Sequence, residues 1–144
     1  MENGKNNGLS DKKALLSILW IFAVLNYLYC DVTSLMDSSL LKQYLVGKVD
    51  GMEINQMFLL LAGILMEISI SMVLFSKILP YKINRVANMI AATITTLVQI
   101  ATLFAGKPTM YYLFFSIIEI SCTISIFISS LKWHNQDTLT KRNP

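Results

Sequence analysis

The stretch MFLLLAGILMEISISMVLFSKIL, Met57 to Leu79, decides the fold class. It holds one basic residue, Lys77, near its end, and one acidic residue, Glu67, at its middle. About 20 helical residues at 1.5 Å each cross the ~30 Å hydrocarbon core of a bilayer, and lipid offers the backbone no hydrogen-bond partner outside the helix itself. Three further runs have the same character: Leu15–Leu35, Val86–Phe104 and Met110–Leu131. The last carries its own central acid, Glu119. The chain therefore reads as all-α, a four-transmembrane-helix up-down bundle. Its spans fall at about 15–35, 55–79, 86–104 and 110–131, within a membrane domain of 14–133. The polar, Asn- and Gly-rich ends, 1–13 and 134–144, read as disordered cytoplasmic tails.

Composition supports the same class. Of 144 residues 54% are hydrophobic and 15% charged, where a soluble domain carries about 25% charged residues. Lys12 and Lys13 before the first run suggest a signal peptide, but the run ends on Tyr27, Leu28, Tyr29, Cys30 and Asp31, too bulky for a cleavage site. It reads as a retained helix. Cys30 and Cys122 lie at different depths, an offset on the order of 10–15 Å, too far apart for a disulfide.

Nine of the 12 basic residues fall on one side, before the first run, between the second and third, and after the fourth. Lys42, Lys48 and Lys107 fall on the other. The positive-inside rule then puts both termini in the cytoplasm of a multi-pass plasma (inner) membrane protein. The net charge of +3 is a topology signal with no nucleic-acid partner attached.

The connections are short except the first. There, Asp37-Ser38-Ser39 can cap a short amphipathic helix through Leu40, Leu41, Tyr44 and Leu45, with Gly47 as its stop, lying on the outer surface or across the bundle mouth. Asp50-Gly51 turns the chain toward the second span; Pro80 ends that span and Asn84 is placed to cap the third. Gly106 and Pro108 separate the third from the fourth. Tyr111, Tyr112, Tyr81 and Trp133 fall where interfacial aromatics belong.

Each span offers one polar stripe at helical spacing: Gln56, Gly63, Glu67 and Ser71 in the second; Asn88, Thr95, Gln99 and Thr102 in the third; Tyr112, Ser116, Glu119 and Thr123 in the fourth. The first carries Asn26 and Thr33, with Tyr27, Asp31 and Ser34 alongside. Turned inward, these stripes line a polar interior, with Asn26, Glu67 and Glu119 near the midplane and Gln99 and Asp31 nearer the outside. An acidic residue at that depth costs roughly 3 kcal/mol, and no basic residue is level with either glutamate. Desolvation and mutual repulsion disfavour two carboxylates there. The candidate ligand-binding residues are Glu67, Glu119, Asn26, Gln99, Asp31, Tyr112 and Ser116, serving a small molecule, a proton or a cation. Alternatively, both acids are hydrogen-bonded glue between helices.

No catalytic motif, metal-ligand spacing or phosphate loop is present, and no cofactor is indicated. Two other function classes stay open: a lipid- or quinone-linked membrane enzyme or redox subunit, with Tyr112 beside a carboxyl general acid, and an accessory subunit of a larger membrane complex. Membrane lipid is the expected surrounding, with a homo-oligomer or larger complex as partner. Met66-Glu67-Ile68-Ser69 also resembles Ile118-Glu119-Ile120-Ser121, as a duplicated helix pair would.

Several segments carry a family resemblance: Leu25-Asn26-Tyr27-Leu28-Tyr29-Cys30-Asp31, Val49-Asp50-Gly51, Gly106-Lys107-Pro108-Thr109-Met110-Tyr111-Tyr112 and Phe114-Phe115-Ser116-Ile117-Ile118-Glu119-Ile120. Together they are similar to a small family of prokaryotic four-helix membrane proteins known as a domain of unknown function. That resemblance implies the fold and brings no activity. In helix count and size alone the chain also resembles DoxX-like membrane proteins. Small multidrug exporters share four helices and a membrane glutamate, but theirs lies in the first helix, where this chain has Asn26 and Asp31.

Overall fold

A computed structural model describes residues 3–49, 51–105 and 108–133. Four long helices dominate: α1 (Asn3–Met36), α3 (Gln56–Ile78), α4 (Tyr81–Ala105) and α5 (Met110–Leu131). Each contains a segment long and apolar enough to cross a membrane. Between α1 and α3 lie a nine-residue helix, α2 (Ser38–Val46), and two short strands, β1 (Lys48–Val49) and β2 (Met52–Glu53). The expected tail over 1–13 differs from what is seen: α1 is helical from Asn3, continuing the apolar helix outward through Asp11, Lys12 and Lys13. Residues 134–144, Asp50 and Gly106 lie outside the described residues.

The long helices form a ring in which α1 packs on α3 and α5, and α4 packs on α3 and α5. Side-chain pairs show the directions. Along α4 and α5, Arg85 meets Ser130, Thr96 meets Thr123 and Gln99 meets Ser116, so the two run antiparallel. Along α1 and α5, Leu19 meets Cys122 and Asn26 meets Glu119, again antiparallel. Helices α3 and α4 form a tight hairpin through Leu79 and Pro80, and the first α4 backbone bond returns from Asn84 to the Pro80 carbonyl.

The end of the ring holding that hairpin is clamped. Trp20 is fully buried and its indole Nε1 donates to Asn88 Oδ1 at 2.7 Å, reaching across the ring from α1 to α4. Ser76 Oγ donates to the same oxygen at 3.1 Å, and Asn88 Nδ2 donates to Asn84 Oδ1 at 2.6 Å. Asn84 departs from its expected role at an α4 N-cap. The helix starts three residues earlier, at Tyr81, and Asn84 Nδ2 instead donates to the Ser76 carbonyl in the last turn of α3 at 2.6 Å. Arg85 donates to the carbonyls of Ser130 and Leu131, satisfying and electrostatically complementing the C-terminal end of α5. Trp133, expected at the interface, is buried edge-on against Tyr81, whose hydroxyl donates to the Trp133 carbonyl.

The opposite end is looser. Every α3 residue from Gln56 to Ile64 is exposed, and the buried α3 residues are Ser69, Met72 and Ser76, all in its second half. The hydrogen bonds that tie α3 side chains and carbonyls to α1 and α4 run through Val73 and Ser76. Helix α3 is thus anchored at one end and parts from α4 toward the other.

Asp37 N-caps α2: its Oδ1 accepts from Ser39 N at 2.9 Å and Ser39 Oγ at 2.7 Å. Gly47, at φ 73°, closes the helix in the left-handed region that a side chain disfavours. The pair Lys48↔Glu53 and Val49↔Met52 then forms a small hairpin whose turn includes Gly51 at φ 83°. Asp-Gly between Val49 and Met52 is a strong two-residue hairpin signal that the sequence reading took only as a turn. Ser39, through its hydroxyl and then its backbone amide, holds the exposed Asp37 carboxyl below its ordinary range. A lowered folded-state value means the cap stabilises α2 above the unfolded carboxyl value, about 3.9, and is lost as pH falls through the folded value. Protection of the Ser39 and Leu40 amides, taken relative to the intrinsic exchange rate at each pH, is therefore expected to stay level from neutral pH to about pH 5 and to fall below about pH 4. Equal protection at pH 6 and pH 3 would contradict this role.

Candidate functional site

The loose end encloses a cavity of about 200 Å³ between α1, α3, α4 and α5. Its α3 wall is largely apolar: Ala62, Leu65 and Met66, with Ser69 below. Its other walls bring polar groups to a mostly apolar surface: Tyr27, Cys30 and Asp31 from α1, Thr95, Gln99 and Thr102 beside Val98 from α4, and Tyr112 and Glu119 from α5. No lysine, arginine or histidine lines it.

The polar walls are built in layers one helical turn apart. Nearest the α4–α5 connection, the Tyr112 hydroxyl donates to Thr102 Oγ1 at 2.7 Å, and Thr102 donates in turn to the Gln99 carbonyl. One turn deeper, Gln99 Nε2 donates to Ser116 Oγ at 2.8 Å. Deeper again, Asn26 Nδ2 donates to Glu119 Oε1 at 3.2 Å and to the Phe115 carbonyl at 3.1 Å. Below Glu119, Thr96 Oγ1 donates to Thr123 Oγ1 at 2.7 Å and closes the layer toward the clamped end. Glu119 is the tenth residue of α5, about 14 Å along it.

Glu119 is 1% exposed, and its second oxygen, Oε2, is buried without a hydrogen-bond partner from the chain. A buried polar atom left unpaired costs about 1–3 kcal/mol, and nearly all such atoms in folded proteins find a partner. Glu119 is also one of the residues that line the cavity. Among the described residues no three His, Cys, Asp or Glu side chains converge as a metal cage would require.

The sequence-predicted residues divide three ways. Glu119, Gln99, Asp31 and Tyr112 line the cavity, with Asp31 exposed toward its mouth. Asn26 and Ser116 stand behind it, orienting Glu119 and Gln99. Glu67 is a correction: it is exposed on the outer surface of α3, while its neighbours Met66 and Ser69 face the cavity. The rest of its stripe turns out with it, for Gln56 and Gly63 are exposed and Ser71 is half-buried. The two similar segments around Glu67 and Glu119 thus sit in opposite surroundings. Tyr27, Thr95 and Thr102 belong to the expected polar stripes and line the cavity although they are not among the candidate ligand-binding residues, and Cys30, on neither, lines it too.

The short helix α2 stands close to the mouth. Burial raises the Tyr44 phenol above its ordinary range, and the nearby Asp31 carboxylate adds to the effect. Tyr111 OH reaches from the first turn of α5 to Asp37 Oδ2 at 3.5 Å, at the limit of a hydrogen bond.

Four helices long and apolar enough to cross a membrane, with a small cavity between them, are the mark of a multi-pass membrane protein. Within that class the chain belongs to a family of unknown function, DUF6326, whose profile matches residues 7–141. Neither a curated protein nor a solved structure matches it, and a likeness to DoxX-like proteins is not shown.

Proposed function

We propose that this protein binds a small cation or hydrogen-bond-donating molecule, such as a protonated amine, within the membrane, with Glu119 as its anchor. The observations that carry this reading are the buried, unpaired Oε2 of Glu119 and the place of Glu119 in the lining of a cavity that holds no basic side chain. The ligand must therefore bring the donor or the positive charge. Asp31 near the mouth would attract the same cation, and Tyr27 and Tyr112 offer aromatic faces that suit it. The lipid- or quinone-linked alternative has less support, because the Tyr112 hydroxyl is already engaged with Thr102. Thermal stabilisation of the purified protein by a panel of alkali cations and small primary to quaternary amines, compared with E119Q, tests the proposal. A hit lost in E119Q supports it; a panel without a hit, or hits that E119Q keeps, counts against it.

The topology proposed with it places both termini in the cytoplasm of the plasma membrane, by the distribution of basic residues. The clamped end, with Lys77, Lys82, Arg85 and Lys132, then faces inward and the cavity mouth faces out. Single cysteines introduced as K48C and K82C, in a background lacking Cys30 and Cys122, are expected to react with a membrane-impermeant maleimide from outside and inside respectively. Labelling of both from the same side overturns this arrangement.

A further inference from the structure

Glu67 is the central residue of α3, with 11 residues on either side of it in Gln56–Ile78. It is therefore about 16 Å from either helix end, much farther than a glutamate side chain can reach to water. It is exposed on the outer surface of the ring and makes no hydrogen bond or ion pair with any described residue. Other exposed polar residues of the spans, such as Thr93, Ser121 and Ser125, each donate to a carbonyl one turn back on their own helix. A glutamate cannot do this while ionised, because a carboxylate only accepts.

Three further features mark this face. Helix α3 is the least covered of the four: 11% of its apolar window is buried, against 28%, 28% and 33% for the other three. Gly63 lies one turn before Glu67 on the same stripe, and an added Cβ there would meet nothing within 4 Å. A small residue at such a position lets a second helix approach to backbone contact. Ser71 extends the stripe one turn further, giving the four-residue repeat Gly63, Glu67, Ser71.

We propose that the Gly63–Glu67–Ser71 face of α3 docks against the same face of a second copy of this chain, forming a twofold homodimer within the membrane. The chemistry selects a second copy. A carboxyl that carries its proton both donates and accepts, so two of them related by a twofold axis satisfy each other with no foreign group. Lipid headgroups lie too far from the midplane to do so. The twofold axis passes near Gly63 and Glu67, and each Glu67 meets its counterpart. The cavity at Glu119 lies on the other side of α3, so dimer formation leaves its lining intact.

Single-molecule photobleaching of the singly labelled full chain, at low density in phosphatidylcholine–phosphatidylglycerol vesicles, tests the dimer. Two-step bleaching is expected for the natural chain and for E67Q, because an amide also donates and accepts. Roughly tenfold weaker dimerisation is expected for E67L and for G63I, the size that loss of an interhelical polar contact or a close approach brings. Leucine is at home on a lipid-facing surface, so E67L should keep its helix content and elute as a well-behaved monomer. In a background lacking Cys30 and Cys122, G63C should form a disulfide-linked dimer under mild oxidation. A natural chain that stays monomeric, E67L that dimerises normally, or G63C that never cross-links would overturn the proposal. So would a photocrosslinker at position 67 that captures only a different polypeptide in native membranes.

Discussion

Asn88→Leu is expected to destabilise the protein by about 2–4 kcal/mol, more than any other single polar-to-apolar change in the spans. Asn88 is fully buried and is the hub of the clamped end, accepting from Trp20 and Ser76 and donating to Asn84. Leucine would take the partner from the indole N–H of Trp20, the hydroxyl of Ser76 and the side-chain oxygen of Asn84, each worth about 1–3 kcal/mol when buried and orphaned. Interhelical hydrogen bonds in membrane proteins can average nearer 0.6 kcal/mol, because the unfolded chain in lipid finds other partners. Here one substitution removes the partner of three groups at once, and the bond to Trp20 joins α1 to α4, which stand across the ring from each other. Thr93→Val is the control, since the exposed Thr93 hydroxyl donates to the Met89 carbonyl on its own helix. Its expected cost is below about 1 kcal/mol. Unfolding in mixed micelles with increasing SDS measures both. Equal effects for the two variants would mean that the clamp adds nothing beyond ordinary packing.

The clamp and the cavity explain each other. Fully buried side chains such as Leu16, Ser17, Trp20, Asn84, Asn88, Ile126 and Ser130 gather toward the end where α3 turns into α4. The opposite half of α3 has no buried residue before Ser69. A helix fixed at one end and loosely held at the other leaves room between itself and α4, and the polar layers of α4 and α5 face into that room.

The helices were legible in the sequence because lipid enforces length and apolarity, and the four runs leave few alternatives. The third span begins earlier than its apolar run, at Tyr81, because Pro80 admits a helix directly after it while the polar residues Lys82, Asn84 and Arg85 hide the start from hydropathy. The stripes were legible too; their direction was not. In water an apolar stripe faces the core, so pattern gives orientation. In lipid both the core and the surroundings are apolar, so a polar stripe says only that something polar must meet it. The Glu119 stripe meets its own chain, while the Glu67 stripe looks away from it, and nothing local distinguishes Met66-Glu67-Ile68 from Ile118-Glu119-Ile120. The Trp20–Asn88 bond depends on the ring arrangement, which periodicity along a single helix does not specify.

Glu119→Gln should separate binding from folding more sharply than any other change. The glutamine oxygen can still accept from Asn26 Nδ2, which also keeps its bond to the Phe115 carbonyl. An amide NH2 then occupies the place of the unpaired Oε2 and no charge has to be buried, so unliganded stability should stay level or rise slightly. Binding should respond in the opposite direction. A hydrogen bond to a charged group contributes about 1.5–3 kcal/mol, which corresponds to a loss of roughly 10- to 150-fold in affinity for a cation or donor ligand. The amide also turns a donor toward a ligand that is itself a donor, which moves the expected loss to the upper end of that range. Glu119→Leu should bind no better than E119Q and should cost only about 1 kcal/mol in stability, because it removes one of the two bonds of Asn26 and leaves the other. Isothermal titration of the purified protein with the cation or amine that stabilises it best, beside its thermal unfolding without ligand, reads both quantities. If E119Q unfolds at a markedly lower temperature and binds as tightly as the natural chain, Glu119 is glue between α1 and α5 and the cavity has a different anchor.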